Sequence, residues 1–148
     1  MKKPLSLFIL FFFLTAFSAS AQKLPVQKLN NANLSYVLNN IRSTHKAETA
    51  GFAVTVYVVS NKSGSAKQPE THEVTDNIYI AVSEFDEQPK QSLFVVKNLY
   101  GPSGIQLTKQ PDQTIKFSFS YLKGTVKKNF SAMVKPDAVV IEDQKTEE

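Results

Sequence analysis

The hydrophobic pattern of the chain changes period at Gly51. Before it, Leu34, Val37, Leu38 and Ile41 recur at i, i+3, i+4 and i+7, which is one helical face and predicts a helix from Asn31 to Lys46. Asn30 stands where an N-cap side chain accepts from free backbone N–H groups, and Leu29 with Leu34 has the spacing of a hydrophobic staple. His45, eleven residues beyond Leu34, continues the same face. After Gly51 the pattern alternates. Residues 52–60 are Val-rich and apolar on both faces, the signature of a central strand. Residues 74–83, with Ile78, Ile80 and Val82 on one face, and residues 92–99 read as two more strands.

Turn chemistry divides the rest. Gly101-Pro102-Ser103-Gly104 signals a turn, residues 105–108 a short strand, and Gln110-Pro111-Asp112-Gln113 a type I turn. Residues 114–122 and 125–134 form a hairpin pattern. With Lys123-Gly124 as the turn, Tyr121 faces Val126, Phe117 faces Phe130 and Ile115 faces Ala132 on an apolar side. Ser120, Ser118 and Lys116 then face Lys127, Asn129 and Ser131 on a polar side, with Lys128 placed inward beside Phe119. Residues 138–141 predict a last edge strand. The expected fold class is α+β and β-rich: six or seven antiparallel strands, as a sandwich or a strongly curved sheet, with the N-terminal amphipathic helix covering one apolar face. The strands at 52–60 and 92–99 are apolar on both sides and call for cover on both.

The first 21 residues read differently. Lys2 and Lys3, an uncharged apolar run from Leu5 to Phe17, and Ser18-Ala19-Ser20-Ala21 follow the order of a cleavable signal peptide, and the run is short for a membrane span. The expectation is an exported, extracytoplasmic protein of a bacterial cell, periplasmic or secreted, with a mature chain from Gln22. Residues 22–141 would be one globular domain and 142–148 a disordered acidic tail. Cleavage leaves 15 Lys+Arg against 13 Asp+Glu, a net charge near +2 rather than the +4 of the whole chain. There is no Cys, so the fold is held without disulfides. The modest charge and the export signal argue against nucleic acid as a partner.

Candidate chemistry is sparse. His45 and His72 are the two histidines, and no second His or Cys stands at metal-ligand spacing. No G-x-S-x-G elbow supports a serine nucleophile. Glu84, Asp86 and Glu87 are hard oxygen donors in one turn, a candidate calcium set set against the plainer reading of a soluble hairpin tip. Lys116 and Lys127, sharing the polar side of the hairpin, form a candidate surface for an anionic envelope or extracellular component. Phe85 and Tyr100, at strand ends beside polar connections, are candidate contact anchors for a protein partner. The reading that follows is a non-catalytic binding or accessory domain without a cofactor. The alternative is a small extracytoplasmic hydrolase using His45 or His72.

Overall fold

The computed structural model describes residues 27–28, 30–66 and 73–142, and the fold is that of the chain from Asn31 onward. The signal segment, Leu29, His72 and residues 143–148 lie outside the described residues. One short helix, α1 (Ala32–Asn39), precedes seven strands: β1 (Ile41–Glu48), β2 (Phe52–Ser60), β3 (Asp76–Glu84), β4 (Gln91–Lys109), β5 (Ile115–Lys123), β6 (Val126–Val134) and β7 (Val139–Ile141). Each strand pairs antiparallel with the next, in the order β1 to β7. The architecture is the expected β-rich one, with a single short helix among the described residues.

The helix is half its expected length. Asn31, rather than Asn30, is the N-cap, and its Oδ1 accepts from the Leu34 N–H at 3.0 Å. Helical structure ends at Asn39, and residues 41–48 enter the sheet as β1. The physical reason lies in a second periodicity within the same residues. Ile41, Ser43, His45 and Ala47 alternate with the exposed Arg42, Thr44, Lys46 and Glu48. This period of two matches the Val-rich face of β2, whose pairing outweighs helix propensity. The helix also fails to cover the core: none of its residues is buried, and Leu34 and Leu38 are exposed. Its tie to the sheet includes the Tyr36 hydroxyl donating to the Ser60 carbonyl at 2.8 Å.

β4 is the hinge of the fold. Its first half pairs with β3 and its second half with β5, so it belongs to two sheets. The expected turn at residues 101–104 is a bend within this 19-residue strand. Register shifts fall between Tyr100 and Ser103 and between Ser103 and Gln106, where Gly101 (φ 55°) and Gly104 (φ 64°) adopt the left-handed conformation that bulges require. The glycines thus turn a strand from one sheet into the other without breaking it. The inner faces of both sheets meet in one core: Val54, Val56, Ile78 and Ile80 from the first, and Ile115, Phe117, Phe119, Phe130 and Val134 from the second. Full burial of each such aliphatic or aromatic side chain contributes about 1.5–3 kcal/mol.

The β5–β6 hairpin keeps its expected faces but not its expected register. Lys123 pairs with Val126, making Gly124-Thr125 the turn. Gly124 at φ 64° supplies the positive φ that Lys123 would resist in that position. Phe119 therefore faces Phe130, and Phe117 faces Ala132. The slip is by two residues, so every side chain stays on its face. The Phe119 and Phe130 rings stack at 4.8 Å between centroids, with Phe117 edge-on to Phe130 at 6.0 Å. Lys128 does point to the inner side, opposite Tyr121 rather than Phe119.

At the other end of the sheet, Asp76 is 1% exposed, and its carboxylate accepts from Arg42 at 3.0 Å and from the Ser60 hydroxyl at 3.0 Å. Beside it, Asn61 and Asn77 exchange side-chain hydrogen bonds of 3.2 and 2.9 Å. This polar lock joins the ends of β1, β2 and β3 without an unpaired buried side-chain atom among the described residues.

Candidate functional site

The residues singled out in the sequence are distributed over β1, the end of β3, the β3–β4 connection, β4, β5 and β6. Phe85 follows β3 and is 56% exposed, its N–H donating to the Gly51 carbonyl at 2.9 Å. Tyr100 lies inside β4, half-buried, and its hydroxyl donates to the Glu73 carboxylate. That bond, with the carboxylate's charge, raises the phenol above its ordinary value. Lys116 and Lys127 share the outer face of the second sheet, as expected, but at opposite ends of the hairpin. Lys116 is engaged: its Nζ lies 2.8 Å from Glu142, which also accepts from the Ser131 hydroxyl at 2.5 Å. Those bonds hold the Glu142 carboxyl below the usual range. Glu142, read as the start of a tail, thereby fastens the end of β7.

Glu84 closes β3, while Asp86 and Glu87 lie in the following connection, where Asp86 Oδ1 accepts from the Glu87 N–H. Among the described residues, no three His, Asp or Glu side chains are gathered closely enough to hold a metal ion. His45 sits on β1 opposite Val56, on the inner face of the first sheet. Its Nε2 is 3.2 Å from Ser43 Oγ, and no described carboxylate is among its hydrogen-bond partners. The helix-end environment expected for it does not exist, because the helix has already ended.

The most distinctive surface was not singled out in the sequence. On the outer face of the first sheet, pairing sets Thr44, Tyr57, Tyr79 and Val95 in one row and Lys46, Thr55, Ala81 and Leu93 in the next. Leu93 is 67% exposed and Val95 40%. Both are outward residues of the segment 92–99, one of the two segments read as apolar on both sides. A period-two strand with one dry and one wet face would carry polar groups here. Leu93 lines a partly open cavity of about 560 Å³. Small side chains, Ala53, Thr55, Ala81 and Ser83, lie between the larger Tyr57 and Leu93, with Gln91 at one side. None of the nine lining residues is charged. The outer face of the second sheet is different in kind, with Ser118, Ser120, Asn129 and Ser131 across β5 and β6.

The signal for this face was present in the double apolarity of 52–60 and 92–99. It was assigned to cover by the helix and a second layer, and the helix is too short to supply it. No protein-family model, curated protein or solved structure matches this chain.

Proposed function

We propose that this protein is an exported, non-catalytic binding module whose recognition surface is the outer face of its first sheet. The observation that carries the reading is the exposure of Leu93 and Val95 on that face, with Tyr79 paired to Val95 and Tyr57 paired to Tyr79. Adjacent solvent-exposed apolar side chains cost solubility, and they mark contact surfaces more often than scattered ones do. The seven-strand scaffold holds them rigidly, so little ordering is lost on binding. Export rests on the N-terminal pattern of charge, apolar run and small residues. The hydrolase alternative has less support: His45 is directed to the inner face beside Val56, with a serine as its partner.

The test compares two variants expressed in the native host, Leu93→Lys and His45→Ala, each first shown to melt as a folded protein. Retention on the isolated envelope or extracellular fraction is then measured. Leu93→Lys is expected to lose retention and His45→Ala to keep it. The reverse pattern would overturn the binding reading and favour the hydrolase.

A further inference from the structure

We infer that the first half of β4, residues 91–96, pairs edge to edge with the same segment of a second copy of this chain. The starting point is backbone chemistry. An unpaired edge strand presents a row of N–H and C=O groups that another strand can take up, and proteins block such edges with charge, proline or bulges. The first sheet ends at β1 on one side and at the first half of β4 on the other. The second sheet ends at the other half of β4 and at β6 with β7. Three of these edges carry a block. β1 presents the exposed Arg42, Lys46 and Glu48. The second half of β4 has Pro102 and two register shifts. β7 covers β6 only from Ala132 to Val134, and the part left open holds Lys127 and Lys128. Residues 91–96 hold no charge and no proline, and their ladder to β3 runs from Gln91 to Val96 without a shift. Among the described residues, no strand pairs with their other side.

The side chains of this segment are self-complementary, and that selects a second copy over another strand. Antiparallel pairing about a two-fold axis sets residues at equal distances from the axis opposite each other on one face. With the axis at Phe94, Leu93 of each copy faces Val95 of the other, and Gln91 faces Lys97. Leu93 is 67% exposed and Val95 40%, so each copy covers the exposed apolar pair of its mate. An axis at Val95 would set Leu93 against Lys97, and one at Leu93 would set Val95 against Gln91. Apolar cross-strand pairs are the more favourable arrangement. Phe94 and Val96 stay turned to the core against which they pack. Joining at the edge leaves Tyr57 and Tyr79, on β2 and β3, outside the contact. Self-association of this kind is therefore compatible with ligand contact on the same sheet and does not depend on it.

Sedimentation equilibrium of the protein purified from its native host, from micromolar to millimolar concentration, tests the inference. A concentration-dependent monomer–dimer equilibrium is expected. Leu93→Lys and Val95→Glu, each shown to remain folded, are expected to weaken dimerisation by roughly tenfold, because the two-fold axis repeats every lost apolar pair. The double variant Leu93→Lys/Val95→Glu is expected to recover most of that loss. In the inferred register, the introduced amine at position 93 meets the introduced carboxylate at position 95 of the second copy. Val126→Lys, at an exposed position on β6, should leave dimerisation unchanged. A monomer at every concentration overturns the inference and leaves the edge to a strand of another protein. A dimer weakened by Val126→Lys and not by Leu93→Lys places the contact on the other sheet and also overturns it. A double variant that associates no better than its single parents contradicts the pairing about Phe94.

Discussion

Replacing Phe117 with alanine should destabilise the fold by about 4 kcal/mol, the usual range for deleting a buried aromatic ring. Phe117 is fully buried, and its ring lies 5.3 Å from that of Phe119 and 6.0 Å from that of Phe130. It is the third residue of β5 and belongs to the core that the two sheets share, so its removal leaves a cavity that neither sheet can close alone. The loss approaches the whole stability of an ordinary domain. Phe117→Leu keeps most of the volume and should cost about 1.5 kcal/mol, giving a folded variant for comparison. Tyr121→Ala, on the same face of β5 but half-buried near the hairpin turn, should cost clearly less than Phe117→Ala. Urea unfolding monitored by circular dichroism reads all three. Equal costs at 117 and 121 would show that the core is not centred where the two sheets meet.

The second large effect is expected at Arg42. Arg42→Ala should cost about 3 kcal/mol, more than its own 59% exposure suggests. The reason is what remains behind. Asp76 is 1% exposed, and without the guanidinium its charge keeps the Ser60 hydroxyl as its side-chain partner. A buried carboxylate left without its cation is costly, whereas a stranded surface cation simply hydrates. Asp76→Asn should therefore cost only about 1 kcal/mol, since the amide oxygen still accepts from Ser60 and no buried charge remains. The informative quantity is the asymmetry between the two variants in the same urea series. A larger loss for Asp76→Asn than for Arg42→Ala would contradict this account of the polar lock.

Much of the fold was legible because sheets alternate. The inward residues of β2, β3, β5 and β6 were readable from period-two patterning, and a two-residue error of register in the β5–β6 hairpin changed no face. The errors have local causes. Residues 41–48 carry a helical and a strand periodicity at once. Ile41 completes a helical quartet with Leu34, Val37 and Leu38, yet it also begins the alternation that pairs with β2. Which period wins depends on the Val-rich partner strand, a non-local fact. Gly101-Pro102-Ser103-Gly104 has turn composition, and glycine with positive φ serves a bulge as readily as a turn. The choice between them rests on whether the flanking strands pair with each other or with different neighbours.

The candidate site was less legible for the same reason. Residues 92–99, which include Leu93 and Val95, read as apolar on both sides, and cover was assigned to both faces. Exposure is a property of the assembled sheet, and composition alone does not distinguish a covered face from a bare one. Phe85 and Tyr100 were chosen as aromatic residues beside polar connections. Tyr57 and Tyr79, neighbours across β2 and β3, were hidden within runs that read as core strand.

The central claim is that the outer face of the first sheet is where this protein meets its ligand. A photoreactive benzophenone side chain placed at position 93, and in a second variant at position 126, tests it within the native host. Both positions are solvent-exposed, on different sheets of the fold. Benzophenone inserts into C–H bonds of protein, lipid or glycan alike, so the readout does not presuppose the ligand. The account predicts a covalent adduct from position 93 and none from position 126. Equal labelling at the two positions, or labelling from 126 alone, would contradict it.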